Sequence, residues 1–565
     1  MNNHLDLKDY LVFIAYFVIV ASYGYWVYLK RKSREHDSKA FFLAEGSLTW
    51  WAIGASLIAS NISAEQFIGM SGNGFFVGTA VAAYEWIAAL ALVIIAVWFM
   101  PIYLKNKIYT MPQFLKTRYN ESVALIMAVI WLFVYVFVNL TSILYLGSVA
   151  ITGLLPADTG YDFLHIVMIA LAVFALIITL GGMKVIGYTD VIQVSVLIIG
   201  GLATAYMALD KVSNGNGAVS GFSTLLHEAP DHFKMILSKP DASSTQLDID
   251  KYLILPGILM YAAGQWIVNL NYWGCNQYIT QRALGANLQT ARTGILFAAL
   301  LKLMMPVIVM LPGIAAYVLA QHGQLPQLQG NPPEVQDRAY SAILGFLPAG
   351  LKGLSIAALT AAIVASLAGK ANSISTIFTL DIYKKFFKPE ADEKKLVWTG
   401  RIVVVVAMIV AIAFTWKDLL GIGSAGGFTY IQKYTGFISP GVFAVFILGM
   451  FWKRTTGAAA VAGIITGLAA CTFFNEFAPA VFGNQTFLYT AYPNGKGGYE
   501  IPFLIAMGLS FALTLIVMVT ISLAGPKINS KAFIFEKGLF KLKPATTAMI
   551  VAILLILSAL YIKFW

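Results

Sequence analysis

Runs of about 20 residues almost free of charge recur from one end of the chain to the other, joined by polar connections. Each run is long enough to cross a ~30 Å hydrocarbon core as a helix. Ten-residue segments of alternating polarity, the pattern of a membrane barrel, are absent from the chain. The pattern predicts an all-α integral membrane protein of about fourteen spans, at 9–29, 50–71, 77–104, 122–152, 162–181, 189–209, 252–276, 290–321, 348–383, 397–416, 425–452, 455–474, 500–524 and 543–563. The longest polar connection, 210–251, is expected to carry short helices.

Composition narrows the class without changing it. The 565 residues are 59% hydrophobic and 12% charged, against roughly a quarter charged in soluble domains. The net charge of +11 fits basic loops that hold membrane topology rather than a nucleic-acid surface. The segment MNNHLDLKD before the first span has no basic leader, and Lys30, Arg31, Lys32 and Arg34 follow that span. A cleaved signal peptide is therefore not expected, and the N-terminus is expected outside. Alternation then puts about 25 Lys and Arg in inner loops and about 10 outside. Both termini are expected on the outer side of a cell membrane. Cys275 and Cys471 imply no disulfide framework, and the histidines have no metal-ligand spacing. No linker divides the chain, so 1–565 is expected to be one integral domain.

Two spans are too polar to face lipid. Residues 54–72 read GASLIASNISAEQFIGMSG, and 261–278 read YAAGQWIVNLNYWGCNQY. Backbone in a membrane leaves its helix only where it lines a cavity or meets an ion. Small polar residues taken singly serve helix packing. Two such segments, each opening a set of five spans, instead predict discontinuous helices with solute and ion between them. The repeats would be 50–209 and 252–450, with 9–29 a leading helix and 455–565 three peripheral ones. Elsewhere, Glu85 in AAYEWIAAL is a lone intramembrane carboxylate and hence a functional candidate. Lys302 in FAALLKLMMP has two readings, a site residue or a side chain snorkelling to the inner interface. Asp381 is expected to pair at a helix end with Lys384 or Lys385. No nucleophile elbow, HExxH or phosphate loop is present, so an enzyme is not expected.

The runs FFLAEGSLTWWAIGASLIASNISAEQFIGMSG (41–72), YEW (84–86), NLTSILYLG (139–147), YTDVIQ (188–193), NYWGCNQYITQR (271–282), TIFTLDIYK (376–384) and YIQKYTGFISPG (430–441) stand in one order along the chain. Together they resemble the sodium:solute symporter family, most of all its sodium/galactose and sodium/glucose branch. The resemblance implies fourteen helices, a LeuT-like five-plus-five inverted repeat, and alternating access driven by inward sodium flow. By composition and spacing alone the chain would be a polytopic transporter or channel.

A hexose offers hydroxyls and an apolar ring face, so its site needs convergent polar groups and an aromatic plate. By resemblance, Gln66, Glu85, Asn269, Lys302 and Gln432 match sugar-hydroxyl contacts, with Asn61 beside them. Tyr272 matches the ring-stacking inner gate, and Met70, Tyr84 and Phe428 the outer hydrophobic gate. Two departures, Ala88 for a serine and Asn271 for an aromatic, make the implied substrate a hexose or hexose-like polyol. An anionic solute would call for an added arginine, and Glu85 opposes it.

The resemblance also implies a sodium site made by the carbonyls of Ala59, Ile62 and Ala362 and a hydroxyl of Ser366. Ala365 stands where a second hydroxyl is expected. Asp190 matches an aspartate on the sodium path. Lys370, one turn beyond Ser366 on the same helix face, departs from the family pattern. It is expected either to pair with Asp190 and modify coupling or to snorkel toward the inner water. The implied partners are thus Na+, a small sugar and the bilayer, with an uncoupled sugar uniporter or sensor and an inositol symporter as alternatives.

Overall fold

The computed structural model describes residues 6–29, 48–152, 160–330, 332–420, 427–536 and 538–565, and leaves undescribed the side chains of 28, 160–162, 333–334 and 427–430. The basic cluster at 30–34 lies outside the described residues. The principal helices are α1 (Leu7–Leu29), α2 (Trp50–Asn61), α3 (Ala83–Ile94), α4 (Glu121–Phe133), α5 (Gly160–Leu180), α6 (Gly182–Val212), α7 (Gly264–Leu270), α8 (Gln277–Leu284), α9 (Leu288–Val309), α10 (Leu351–Thr376), α11 (Glu393–Thr415), α12 (Gly427–Gly436), α13 (Ser439–Phe451), α14 (Gly457–Thr472), α15 (Phe503–Leu523) and α16 (Pro544–Phe564). Among the described residues the only paired strands form a two-residue ladder, Tyr492–Pro493 with Tyr499–Glu500.

Among the described residues twelve helices are long and apolar enough to span a membrane, or thirteen if the bent pair Gln246–Ala262 and Gly264–Cys275 is one span. The sequence expectation of about fourteen is therefore not met by length and apolarity. The span expected at 50–71 is the reason. It stops at Asn61, where Ile62 turns extended (φ −81°, ψ 113°), and resumes as a π-type helical turn over Glu65–Met70. The other polar segment breaks as well. The two helices of the bent pair meet at 82°, and Asn276 is extended (φ −98°, ψ 124°) between Cys275 and α8. The connection 210–251 carries short helices at Ala218–Glu228 and Pro230–Phe233 and the start of Gln246–Ile254.

Helix α10 is the axis of the bundle: every residue from Ser355 to Thr376 is buried. A helix buried on all sides needs small residues where its neighbours cross, and α10 supplies Ala, Ser and Gly along its length. It packs most extensively on α6, and α1 lies against both. Asp9 of α1 fixes the register, because its Oδ1 accepts from the backbone N–H of Gly350 and of Gly353, each at 2.7 Å. Those groups belong to the start of α10, where donors lack helical partners and negative charge is favoured.

The crossing of α2 with α9 brings the broken segment to the centre. Gly54 and Gly294 meet there, and a Cβ on Gly54 would lie 2.7 Å from the Gly294 carbonyl oxygen. Arg118, the last residue of the short helix Met111–Arg118 that precedes α4, ties that helix to the end of α13: its guanidinium donates to the carbonyls of Gly449 (2.7 Å), Trp452 (3.0 Å) and Thr455 (3.0 Å). Asp381 pairs with Lys385 at 3.6 Å, the helix-end contact expected for it.

Candidate functional site

The break after α2 is built from its own sequence. The Ser63 N–H donates to Gln66 Oε1 at 3.0 Å, and the Glu65 N–H donates to Ser63 Oγ at 3.2 Å. Short polar side chains thus replace the missing helical bonds. The carbonyls freed by the break turn toward α10. Ser366 Oγ lies 3.4 Å from Ala59 O, 3.0 Å from Ser60 O and 3.3 Å from Ile62 O. One hydroxyl proton serves at most one of these acceptors well, so this is a knot of oxygens, and the buried Ser60 Oγ beside it has no hydrogen-bond partner among the described residues. Of the expected ligands, Ala59, Ile62 and Ser366 come together. Ala362 is buried one turn earlier on α10. Ser60 was not anticipated.

Beside the knot lies a cavity of about 60 Å³ lined by Asn61, Glu65, Gln66, Tyr84, Glu85, Ala88, Asn139, Asn269, Asn271, Tyr272, Asn276, Lys302, Lys370, Gln432 and other residues. Ligand pockets run to several hundred Å³, so the polar side chains here are closed in on one another. A larger cavity, about 630 Å³, lies between α1, α5, α6 and α11. Its walls are mostly apolar side chains and glycines, with Tyr25 and Arg401 the polar members, and among the described residues it offers no convergent polar set for a hydrophilic solute.

Lys302 does not snorkel. It forms an ion pair with Glu85, the two side chains being 1% and 4% exposed, and its ammonium sits 5.3 Å from the centre of the Trp273 ring. Tyr272 closes the other side. Asn61 Nδ2 donates to its hydroxyl at 2.9 Å, and its hydroxyl also meets that of Tyr278. Asn269 turns its amide to Gln265 O at 2.9 Å, and Asn271 donates to Ser439 Oγ at 3.1 Å. Tyr84 and Gln432 line the cavity, whereas Met70 is buried outside its lining. The side chain of Phe428 lies outside the described residues.

The expected pairing of Lys370 with Asp190 does not form. Asp190 Oδ2 accepts from Ser56 Oγ and lies 3.7 Å from Arg282 Nη2. Arg282 also donates through Nε to Ser56 Oγ at 2.8 Å and through Nη1 to the Tyr278 carbonyl. Gly369 makes room for it, because a Cβ there would press on the guanidinium. Lys370 instead approaches Glu65 Oε1 at 3.6 Å and lies 5.1 Å from the centre of the Tyr278 ring. Nor does Lys370 snorkel, being buried in the cavity wall. Glu65, Arg282, Asn139 and Asn276 are the site residues that sequence reasoning left without a role. Glu65 and Arg282 carried one usable signal, a charge inside or beside a broken apolar segment.

Outside the bundle, His232 of the 210–251 connection docks on the end of the broken segment, its Nε2 3.0 Å from the Phe75 carbonyl oxygen. Burial first, and the Lys251 cation second, hold its pKa down at about 4.

The profile of the sodium:solute symporter family matches residues 41–467. A sodium/glucose cotransporter of Vibrio parahaemolyticus is 42% identical, the alignment covering 100% of this chain and 99% of that protein. Human sodium/myo-inositol cotransporter 2 is 35% identical over 82% of this chain and 69% of its own. Among solved structures, a Na+-coupled sialic acid symporter in a substrate-bound outward-open state superposes with a TM-score of 0.75 at 20% identity, covering 93% of this chain and 99% of that one. At that identity the likeness carries the fold alone.

Proposed function

Because the chain belongs to the sodium:solute symporter family, whose members couple solute entry to sodium, we propose that it carries a hexose or hexose-like polyol together with Na+ across a cell membrane by alternating access. The observation that supports this most is the shared helix break. The carbonyls of Ala59, Ser60 and Ile62 converge on Ser366, and Asn61, Glu65 and Gln66, from the same interruption, line the polar cavity. A hard cation prefers such oxygen donors. An ion bound at the knot would fix the break against α10, and so fix the side chains that meet the sugar.

In this reading Glu85, Lys302, Asn61, Gln66, Asn269 and Gln432 hold the sugar hydroxyls. Tyr272 covers the ring and closes the inner path, while Tyr84, Met70 and Phe428 close the outer one. Asp190 lies on the route by which Na+ leaves. The architecture proposed is fourteen crossings, with the broken segment at 50–76 and the bent pair near 246–275 each counted as one. The two inverted repeats are 50–209 and 252–450, the three helices after 455 are peripheral, and both termini are outside. The reading assigns transport and no catalysis.

The driving force suffices. One charge crossing 100 mV supplies about 2.3 kcal/mol, and a tenfold sodium gradient adds about 1.4 kcal/mol. Together they support accumulation of several hundred-fold. The deciding experiment is labelled glucose and galactose uptake into proteoliposomes under an inward sodium gradient, against choline, with unlabelled myo-inositol among the competitors. Sodium-driven accumulation above equilibrium is expected. Uptake that only equilibrates, with or without sodium, would replace symport by uniport. Competition by myo-inositol alone would move the substrate to a cyclic polyol, the solute named for relatives 34–35% identical to this chain.

A further inference from the structure

Trp86 follows Glu85 on α3, and its buried indole reaches α9 beside the other half of the ion pair. Its Nε1 donates to the Leu303 carbonyl at 3.3 Å, one residue from Lys302. The turn of α9 that carries Lys302 is not held by helix bonds alone. Pro306 stands inside α9, and a proline four residues on removes the donor for the Lys302 carbonyl and crowds it. A bond from α3 at that turn therefore bears on where Lys302 stands relative to Glu85.

Trp86 is in turn backed by α16, which packs on α9 and α3, the two helices that carry the pair. Ile553 and Leu557 of α16 are buried, whereas Leu555, Ile556 and Ile562 are exposed, so one stripe faces the bundle and the rest faces lipid. At the end of that stripe the Phe564 ring stacks on Trp86, centres 6.4 Å apart, and the Tyr561 ring meets it edge-on at 5.8 Å. Both residues also hold other elements. The Tyr561 hydroxyl donates to that of Tyr261, in the bent pair, at 3.1 Å. The Phe564 carbonyl accepts from the Met235 N–H at 2.8 Å, and its ring lies 6.1 Å from that of Phe233. Phe233 and Met235 belong to the connection whose His232 docks on the Phe75 carbonyl.

We infer that Tyr561 and Phe564 are positioning residues of the solute site: they clamp Trp86, and through it the Glu85–Lys302 pair, to the 230–235 stretch that docks on the end of the broken segment. Helix α16 is peripheral in the proposed architecture, yet its last turn joins the solute-binding pair, the bent pair and that connection. The inference rests on the sugar-transport reading above.

The test reads two quantities on the same variants: kinetics of labelled glucose uptake into proteoliposomes, and hydrogen-exchange protection of residues 230–235. Phe564→Ala should raise the glucose KM at least fivefold and lower that protection, with half-saturating sodium at saturating glucose within twofold of the unaltered chain. Phe564→Tyr keeps the ring and should restore both. Ile556→Ala, on the lipid-facing side of α16, should change neither. Trp86→Phe combined with Phe564→Ala should lose less than the product of the single losses, because both act through one contact. An unchanged KM or unchanged protection in Phe564→Ala would overturn the inference. So would an equal rise in half-saturating sodium, a loss that Phe564→Tyr does not restore, or multiplicative losses in the double variant. If Phe564→Ala does not fold, Phe564→Leu keeps the bulk without the stacking and should raise KM at least twofold, and an unchanged value would overturn the inference. If the unaltered chain takes up no glucose, the sugar reading fails, and the protection of 230–235 in Phe564→Ala still decides the clamp.

Discussion

Glu85 on α3 and Lys302 on α9 form an ion pair inside the bundle, with the ammonium also against the face of Trp273. Neither residue has a second opposite charge at hand among the described residues, so each depends on the other. Removing one partner of a buried pair strands a charge at a cost of about 3–5 kcal/mol, whereas removing both is far milder. Glu85→Gln and Lys302→Met should each lower uptake by more than about a hundredfold. The double variant should fold better than either, measured as thermal stability in detergent. Additive losses in the double variant would mean that the two side chains act separately.

The oxygen knot gives a sodium-specific expectation. Ser366→Ala removes the one side-chain oxygen among four converging donors, leaving the carbonyls of Ala59, Ser60 and Ile62. With a net worth of about 1.5–3 kcal/mol for a contact to a charged group, half-saturating sodium should rise roughly ten- to a hundredfold. Sugar affinity at saturating sodium should change much less. Sodium titrations of uptake and of binding separate the two effects.

Close packing of α2 on α9 should tolerate little added volume. At Gly294 a Cβ would lie 2.8 Å from both Ile53 Cβ and the Trp50 carbonyl oxygen. Overpacking of this kind costs about 1–3 kcal/mol. Gly294→Val should therefore lower the melting temperature and displace the helix break, weakening sodium and sugar binding together. Loss of stability with intact sodium affinity would separate this crossing from the site.

The His232 contact gives a pH dependence. The folded pKa, about 4, is below the ~6.5 of a free histidine. The folded state therefore binds fewer protons than the opened loop, and docking weakens as pH falls from about 6.5 toward 4. The protection of residues 230–235 against hydrogen exchange, taken relative to the intrinsic rate at each pH, should fall between pH 7.5 and 5. His232→Gln, neutral throughout, should lose that dependence.

Much of this protein was legible in its sequence, because a bilayer imposes long-range order on local composition. Twenty uncharged residues must span, and polar breaks such as 61–66 and 269–276 must line something wet or ionic. The short helices between the sixth span and α7, and the polar cavity lined by Glu85, Asn269 and Tyr272, follow from such local signals. Pairing was not legible. Lys370 could be placed one turn from Ser366, but the sequence does not say which carboxylate its four-carbon stem reaches. Asp190 looked available until the fold brought Arg282, distant by 92 positions, against it through Ser56. Lys302 likewise had two readings until α9 crossed α3. The physical reason is the same in each case. Secondary structure and membrane insertion depend on sums over neighbouring residues, whereas a buried charge is assigned by the nearest opposite charge within a few ångströms, which only the packing of distant helices decides.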